Sequence, residues 1–235
     1  MFARQGRKST SPEIIWVLGC GRFGRRAVEL MAKAAPGSTI IVVDRLPALD
    51  MTGNIEIIRA DAVEWLSEHF TPEAVVDKII PAVPLHLASE WLKKKLSDDH
   101  RIVRSVEIPD NQLRSLPNPI RLSLSRVALS HADFRCPENC SEPEELCTYT
   151  RRQRPQSLYH LLETVVFGNF TPLIVRSRQF ASGLGGFMPG DLWNLLERAR
   201  LLPETPLLIG TACKCHGVVD GLCHAESDPD LQKRA

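Results

Sequence analysis

Six of the seven cysteines in this 235-residue chain fall into two groups, Cys136-x3-Cys140-x6-Cys147 and Cys213-x-Cys215-His216 with Cys223-His224. Loops can aim several short side chains at one point, so thiolates carried on them can converge on a metal. Cys136, Cys140 and Cys147, completed by Cys213 or Cys215, make a four-thiolate set that suits a tetrahedral zinc or a [4Fe-4S] cluster. Cys223, His216 and His131 are further ligand candidates. Zinc ribbons pair cysteines separated by about two to four residues, and here only Cys136/Cys140 does so. Three cysteines in one loop with a remote fourth suit an iron–sulfur centre at least as well. Six thiols exceed the needs of one site, so thiol redox chemistry, a disulfide, or cysteines with no common role are competing readings.

The second constellation is Gly19-Cys20-Gly21-Arg22-Phe23-Gly24, placed between an apolar strand-like run and an amphipathic stretch, with Asp44 twenty residues beyond the third glycine. Gly19 permits the tight turn, Gly21 lets a pyrophosphate approach the backbone, and Gly24 lets helix and strand pack closely. The helix that starts at Arg22 and Phe23 offers free N–H groups and the positive end of its dipole to phosphates. Asp44 would accept hydrogen bonds from the adenine ribose, which favours NAD, whereas Arg45 could hold the 2′-phosphate of NADP. Cys20 reads as a small side chain inside the turn. An S-adenosylmethionine site is the rival, but the third glycine has the dinucleotide spacing and no acidic residue precedes the first glycine within the strand. His86 follows the fourth strand, on the carboxyl edge where ligands collect, and is the one candidate proton donor; a capping or packed histidine is its other reading.

These residues need a scaffold, and the chain supplies one. Short β-branched runs alternate with helical periodicity from Glu13 to Ile108, the pattern of a parallel sheet covered on both faces. Strands are expected at Ile14–Leu18, Thr39–Asp44, Ile55–Arg59, Ala74–Ala82 and Ile102–Ile108, with helices at about Arg22–Ala34, Ala62–His69 and Leu85–Leu96. The rhythm fails after Pro109, and the loop from His131 to Pro155 carries three of the cysteines. It resumes with a helix at Ser157–Phe167, a strand at Pro172–Arg178, a helix at Asp191–Leu201 and a strand at Pro206–Thr211. The glycine-rich Ser182–Asp191 segment reads as an anion cradle, a lid or a plain connection, and Arg151-Arg152-Gln153-Arg154 as a solvated basic run or a phosphate contact. Trp16, Trp65 and Trp91 are expected in the core or an interface.

Residues 14 to about 80, with Gly19–Gly24, Val42-Val43-Asp44 and Arg59-Ala60-Asp61-Ala62, resemble the Rossmann nucleotide-binding domain of TrkA-type potassium-uptake regulators and related dehydrogenases. The resemblance implies bound NAD or a similar nucleotide, with Gly19, Gly21, Gly24 and Asp44 at matching positions and Asp61 at the acidic position after the third strand. The expected fold class is α/β: a Rossmann-like doubly wound parallel sheet, a cysteine-containing loop insertion and a carboxy-terminal α/β extension. The corresponding division is a disordered leader (1–11), a nucleotide-binding domain (12–109), an α/β region with the cysteine site (110–224) and a polar tail (225–235).

Composition excludes several classes. With 29 Lys+Arg against 28 Asp+Glu there is no global field for nucleic acid, and no aromatic platform for single strands. The leader lacks an apolar stretch and no run approaches the ~18 apolar residues of a membrane span, so a cytoplasmic chain with reduced thiols is expected. No G-x-S-x-G elbow is present. The expected function is an NAD- or NADP-binding protein with a cysteine-ligated iron–sulfur or zinc centre, in oxidoreduction or electron transfer. A non-catalytic nucleotide or redox sensor and a zinc-dependent enzyme are the alternatives. The expected partners are the nucleotide and either a second copy of the chain or a redox partner protein.

Overall fold

The computed structural model describes residues 12–47 and 53–226. The expected leader and most of the expected tail lie outside the described residues. The first elements follow the strand–helix rhythm: β1 (Ile14–Leu18), α1 (Arg22–Ala34), β2 (Thr39–Asp44), β3 (Ile55–Arg59), α2 (Ala62–His69), β4 (Lys78–Pro81) and α3 (Leu87–Asp98). The strands form a parallel sheet in the order β3-β2-β1-β4. Such strands are apolar on both sides because helices cover both faces. Ile15, Val17, Ile40, Val42 and Ile80 pack with Ala27, Val28 and Met31 of α1. Trp16, Leu18, Val43 and Ile79 face the other way, toward α2 and α3. The fold is therefore α/β and doubly wound about a parallel sheet.

The chain then leaves that sheet. β5 (Arg101–Ser105), expected as a fifth parallel strand, pairs antiparallel with the carboxy-terminal strand of a second sheet instead. Its burial explains the correction: partly buried and exposed residues alternate, with Ile102 46% exposed, as in a strand that keeps one face toward water. The remaining elements are α4 (Asp110–Leu113), β6 (Ile120–Ser123), β7 (Arg126–Ser130), α5 (Leu158–Thr164), β8 (Thr171–Arg176), β9 (Arg178–Ala181), β10 (Leu184–Gly186), α6 (Pro189–Arg200), β11 (Leu207–Ala212) and β12 (His216–Glu226). The second sheet has the order β6-β7-β12-β11-β8, with β5 beside the far part of β12.

Three segments differ from the sequence expectation. β6 and β7 form a hairpin in a region read as irregular, because its tip, Leu124-Ser125, lacks the Asn-Gly type of signal. β12 holds Gly217, Asp220 and Gly221, residue types depleted in strands, and it includes Ala225 and Glu226, which were expected in the tail. The Ser182–Asp191 segment contains β10 and the start of α6, where Asp191 accepts the Met188 N–H at 3.2 Å as a cap.

α2, α3 and α6 lie between the two sheets. Trp16 of β1, Trp65, Trp91, Leu195 and Ile209 of β11 share one core. α5 covers the opposite face of the second sheet. Among the described residues no helix is long and apolar enough to cross a membrane.

Candidate functional site

The turn from β1 into α1 is fitted by its own neighbours. Gly19 has φ +113°, and a Cβ there would lie 2.6 Å from the Ala82 carbonyl carbon and oxygen. A Cβ on Gly24 would lie 2.0 Å from the Gly19 oxygen, so the helix can approach the strand only without one. Gly21 is different. Its φ of −68° suits any residue, and nothing stands within 4 Å of an added Cβ. Neither backbone nor packing requires that glycine, and the space above it is open. The amino end of α1 has no side-chain cap and no acidic residue in its first turn.

Asp44 serves this turn directly. Its carboxylate accepts the Cys20 N–H at 2.5 Å and the Leu46 N–H at 2.8 Å. Cys20 is buried in the core beneath α1, as a small side chain should be. Arg45 pairs with Asp61 at 2.6 Å. Asp61 also caps α2, accepting the Val63 and Glu64 N–H groups at 2.9 Å each. Burial pushes the Asp61 carboxyl up, but those N–H groups and the Arg45 charge outweigh it and hold the acid below its ordinary range. Arg22 and Phe23 project from the first turn of α1 and are exposed.

His86 does not face open space. Its Nδ1 lies 2.7 Å from Asp220 Oδ2 and its Nε2 2.8 Å from Thr211 Oγ1. Arg126 donates to the same carboxylate at 2.7 and 3.0 Å and to Glu90 at 2.6 Å. Burial raises the Asp220 carboxyl, yet the His86 and Arg126 hydrogen bonds prevail and bring it down to about 2. An ionised carboxylate only accepts, so His86 Nδ1 carries a proton and donates it to Asp220. The alignment resembles an activated hydroxyl, but the His86 and Asp220 side chains are each only 2% exposed. His86 is thus a clamp joining the start of α3 to β11 and β12, which is the packed reading of that residue.

The cysteines converge for a topological reason. β7 and β12 are antiparallel neighbours with Ser130 opposite His216, so the segment leaving β7 starts beside the β11–β12 turn. The His131 N–H donates to the Cys215 carbonyl at 2.8 Å, and at its far end the Leu158 N–H donates to the Lys214 carbonyl at 2.9 Å. Both ends of the cysteine segment are therefore fastened to the Cys213–His216 turn. Inside it, the Cys147 N–H donates to the Arg152 carbonyl at 2.9 Å, and the Glu142 carboxylate accepts the Lys214 N–H at 2.5 Å. The result is a cavity of about 740 Å³ lined by Cys136, Cys140, Cys147, Cys213 and Cys215 and by Arg22, Phe23 and Arg26 of α1. Gly19, Gly21, Asp44, His86 and Cys223 do not line it. Cys223 sits on β12 eight residues from Cys215, roughly 26 Å along an extended chain.

The thiols differ in surroundings. Cys147 sulfur is approached by the Thr150 backbone and hydroxyl and by the Tyr149 N–H, which lower its pKa. The Glu142 N–H donates to Cys140 sulfur at 3.4 Å. Cys136 is raised by burial and then by Cys140 and Cys147; Cys215 is raised by burial, against Arg154, and then by Cys136. These four thiols therefore feel one another. Cys213 accepts the Cys215 and His216 N–H groups at 3.4 and 3.3 Å, and burial followed by the Glu142 charge pushes it up to about 12. His131 and His216 are both lowered by burial, which favours neutral imidazoles. Among the described residues no three His, Cys, Asp or Glu side chains are disposed to hold a metal ion. The thiols share a cavity, not a coordination shell.

Glu138 was not among the sequence candidates, and Arg154 was read only as part of the basic run. Arg154 ends the basic run, yet its guanidinium turns inward and donates to Cys215 sulfur. Glu138 lies between two cysteines and reaches α1, where Arg26 and Arg22 meet its carboxylate at 3.1 and 3.4 Å. The only sequence signal of Glu138 was its place between two cysteines.

A protein-family model described as "Uncharacterized protein, C-terminal domain" matches residues 88–225, more than half of the chain. The chain belongs to that family. The family's region opens with α3 and takes in the second sheet and the cysteine segment, leaving the glycine-turn sheet outside it. An uncharacterized protein of Archaeoglobus fulgidus is 26% identical over 228 residues, 89% of this chain and 99% of its own length. That similarity spans both sheets. No solved structure matches.

Proposed function

We propose that the protein binds NAD or NADP at the Gly19–Gly24 turn and a metal centre at Cys136, Cys140, Cys147 and Cys215, and that it works in oxidoreduction or electron transfer. The observation that carries this reading is a single cavity lined both by Arg22, Phe23 and Arg26 of α1 and by the thiols. The fit differs between the two groups. The open space over Gly21 and the uncapped helix end match a pyrophosphate without rearrangement. Arg45 is engaged with Asp61, which favours NAD over NADP. For the metal, the donor set fits and N–H groups already point at the Cys140 and Cys147 sulfurs, as thiolate ligands require. Closing a shell needs the Arg154 guanidinium to swing off Cys215 and the Cys136–Cys147 segment to tighten.

β10 lies on the β4 side of the parallel sheet, where Phe187 and Ile79 exchange backbone bonds at 2.8 and 3.0 Å. The cavity, lined by Leu184 and Gly185 of β10, is therefore on the β4 side of α1. A dinucleotide lying across the turn with its adenine half by Asp44 extends its other half that way. A nicotinamide supplies a hydride acceptor or donor, and an iron–sulfur centre a one-electron store. Arg22, Phe23 and Arg26 would orient the ligand, and Arg154 would balance thiolate charge.

Anaerobic purification with an absorption spectrum and metal and sulfide analysis tests the centre. Brown protein with iron and sulfide is expected; colourless zinc protein transfers the site to the zinc reading, and metal at trace levels removes the site. Cys215→Ser should abolish metal retention and Cys223→Ser should not. For the nucleotide, NAD and NADP titrations are expected to saturate with wild type and to fail with Gly21→Ala and Asp44→Ala. No saturable binding to wild type would sink the nucleotide half.

A further inference from the structure

Three guanidinium groups share one carboxylate at the edge of the cavity. Glu138 lies 3.1 Å from Arg26, 3.4 Å from Arg22 and 3.8 Å from Arg135. Arg26 also donates to the Glu138 carbonyl at 2.5 Å. Three cations facing one anion leave an excess of positive charge, and the amino end of α1 adds its dipole. Arg22 and Arg26 are one turn apart on the same face of the helix. A phosphate carries more charge and more acceptor atoms than a carboxylate and matches guanidinium forks. All four residues line the cavity.

We propose that Arg22, Arg26 and Arg135 form a phosphate-binding subsite that Glu138 fills in the ligand-free protein, and that a ligand phosphate displaces Glu138 and thereby moves Cys136. The identity of the ligand as a dinucleotide rests on the function proposed above; the subsite itself rests on the arginines. The direction of the movement follows from what is fastened. The Cys140 carbonyl accepts the Gly183 N–H at 2.9 Å and Gln179 Nε2 at 2.7 Å. Gly183 has φ +73°, and a Cβ there would fall 1.7 Å from the Glu138 oxygen, so the β9–β10 turn is pressed against the segment. With Cys140 anchored, a shift of Glu138 is taken up on the Cys136 side, through Pro137, whose ring stiffens that link.

The test titrates inorganic pyrophosphate and NAD separately into the full chain, as wild type, Glu138→Gln and Arg26→Gln, and follows iodoacetamide alkylation of Cys136 by mass spectrometry with and without each ligand. Exposed charge pairs are weak, so removing the internal competitor should tighten binding about threefold to tenfold. Arg26→Gln should weaken it by about tenfold. Either ligand should change Cys136 alkylation in wild type and leave Cys223 alone. Glu138→Gln that binds both ligands no more tightly than wild type overturns the proposal, as does unchanged Cys136 alkylation at saturating ligand. Tighter pyrophosphate binding in Glu138→Gln with no saturation by NAD upholds the subsite and removes the dinucleotide. Failure of both ligands to bind any of the three proteins removes the subsite.

Discussion

The glycine turn and the cysteine cavity both sit at strand ends, yet one is a fitted joint and the other a loose gathering. In the turn, every constraint comes from near neighbours: Gly24 abuts Gly19, Ala82 closes over Gly19, and Asp44 ties down Cys20 and Leu46. In the cavity, five thiols arrive from residues 136 to 215, and no three of them form a metal shell. Spacing can specify geometry when the partners are close in sequence and the backbone itself is the partner. When ligands come from separate strands, spacing specifies only an inventory, and topology decides which members meet.

The largest effect should come at the joint between the two regions. Asp220 holds His86 at the end of the parallel sheet and Arg126 in the second sheet. Asp220→Ala would leave the buried His86 ring N–H without its acceptor and Arg126 with Glu90 alone, at a cost of about 3–5 kcal/mol. Urea unfolding followed by tryptophan fluorescence and by circular dichroism checks this. One coincident, shifted transition is expected, and two separated transitions would show that the regions unfold independently. The acid dependence has a definite sign. Asp220 is held at about 2 against an ordinary 3.8, so its contribution is complete above about pH 4 and is lost as pH falls through about 2. At about 1.4 kcal/mol per unit this amounts to about 2 kcal/mol, which Asp220→Asn should remove from the acid limb.

The turn and the cavity should then respond oppositely to small changes. Gly24→Ala adds one methyl where the Gly19 oxygen already stands and should cost about 3 kcal/mol. Cys147→Ser, in the half-buried cysteine segment, should change the stability of metal-free protein by less than about 0.5 kcal/mol. Denaturation midpoints of the two variants settle the contrast. If Cys147→Ser costs as much as Gly24→Ala, the cavity is a fitted structure too and the comparison fails.

The legibility of the molecule follows the same division. Strands and helices through α3 were readable because apolar periodicity and the Gly19–Gly24 spacing are local. The destination of β5 was not, since an antiparallel partner 120 residues away leaves no mark near Val103 beyond the alternation itself. β12 was hidden by its glycines and Asp220, whose places are set by close approach of the Val106 backbone at Gly221 and by the His86 clamp. The cysteine inventory was legible, but the separation of Cys223 from the rest required β12 to be seen as one long strand. Glu138 gave no signal of type or spacing, and the basic run marked the charge of Arg154 but not its inward direction onto Cys215.

The smallest effect tests how self-contained the turn region is. Asp61 stands at the acidic position that the Rossmann resemblance implies for nucleotide contact, yet its oxygens cap α2 and pair with Arg45. Loss of such a cap costs about 1 kcal/mol, so Asp61→Ala should shift the urea midpoint by that amount, whereas Asp61→Asn, which can still accept both N–H groups, should cost only a few tenths of a kcal/mol. The carboxyl is held below its ordinary range, so the small difference between Asp and Asn is present above that range and fades as pH falls through the folded value. An Asn variant as unstable as Ala would mean that the Arg45 pair, not the cap, carries the residue. The turn would then depend on a surface charge, and its independence from the rest of the surface would be less than the glycine contacts imply.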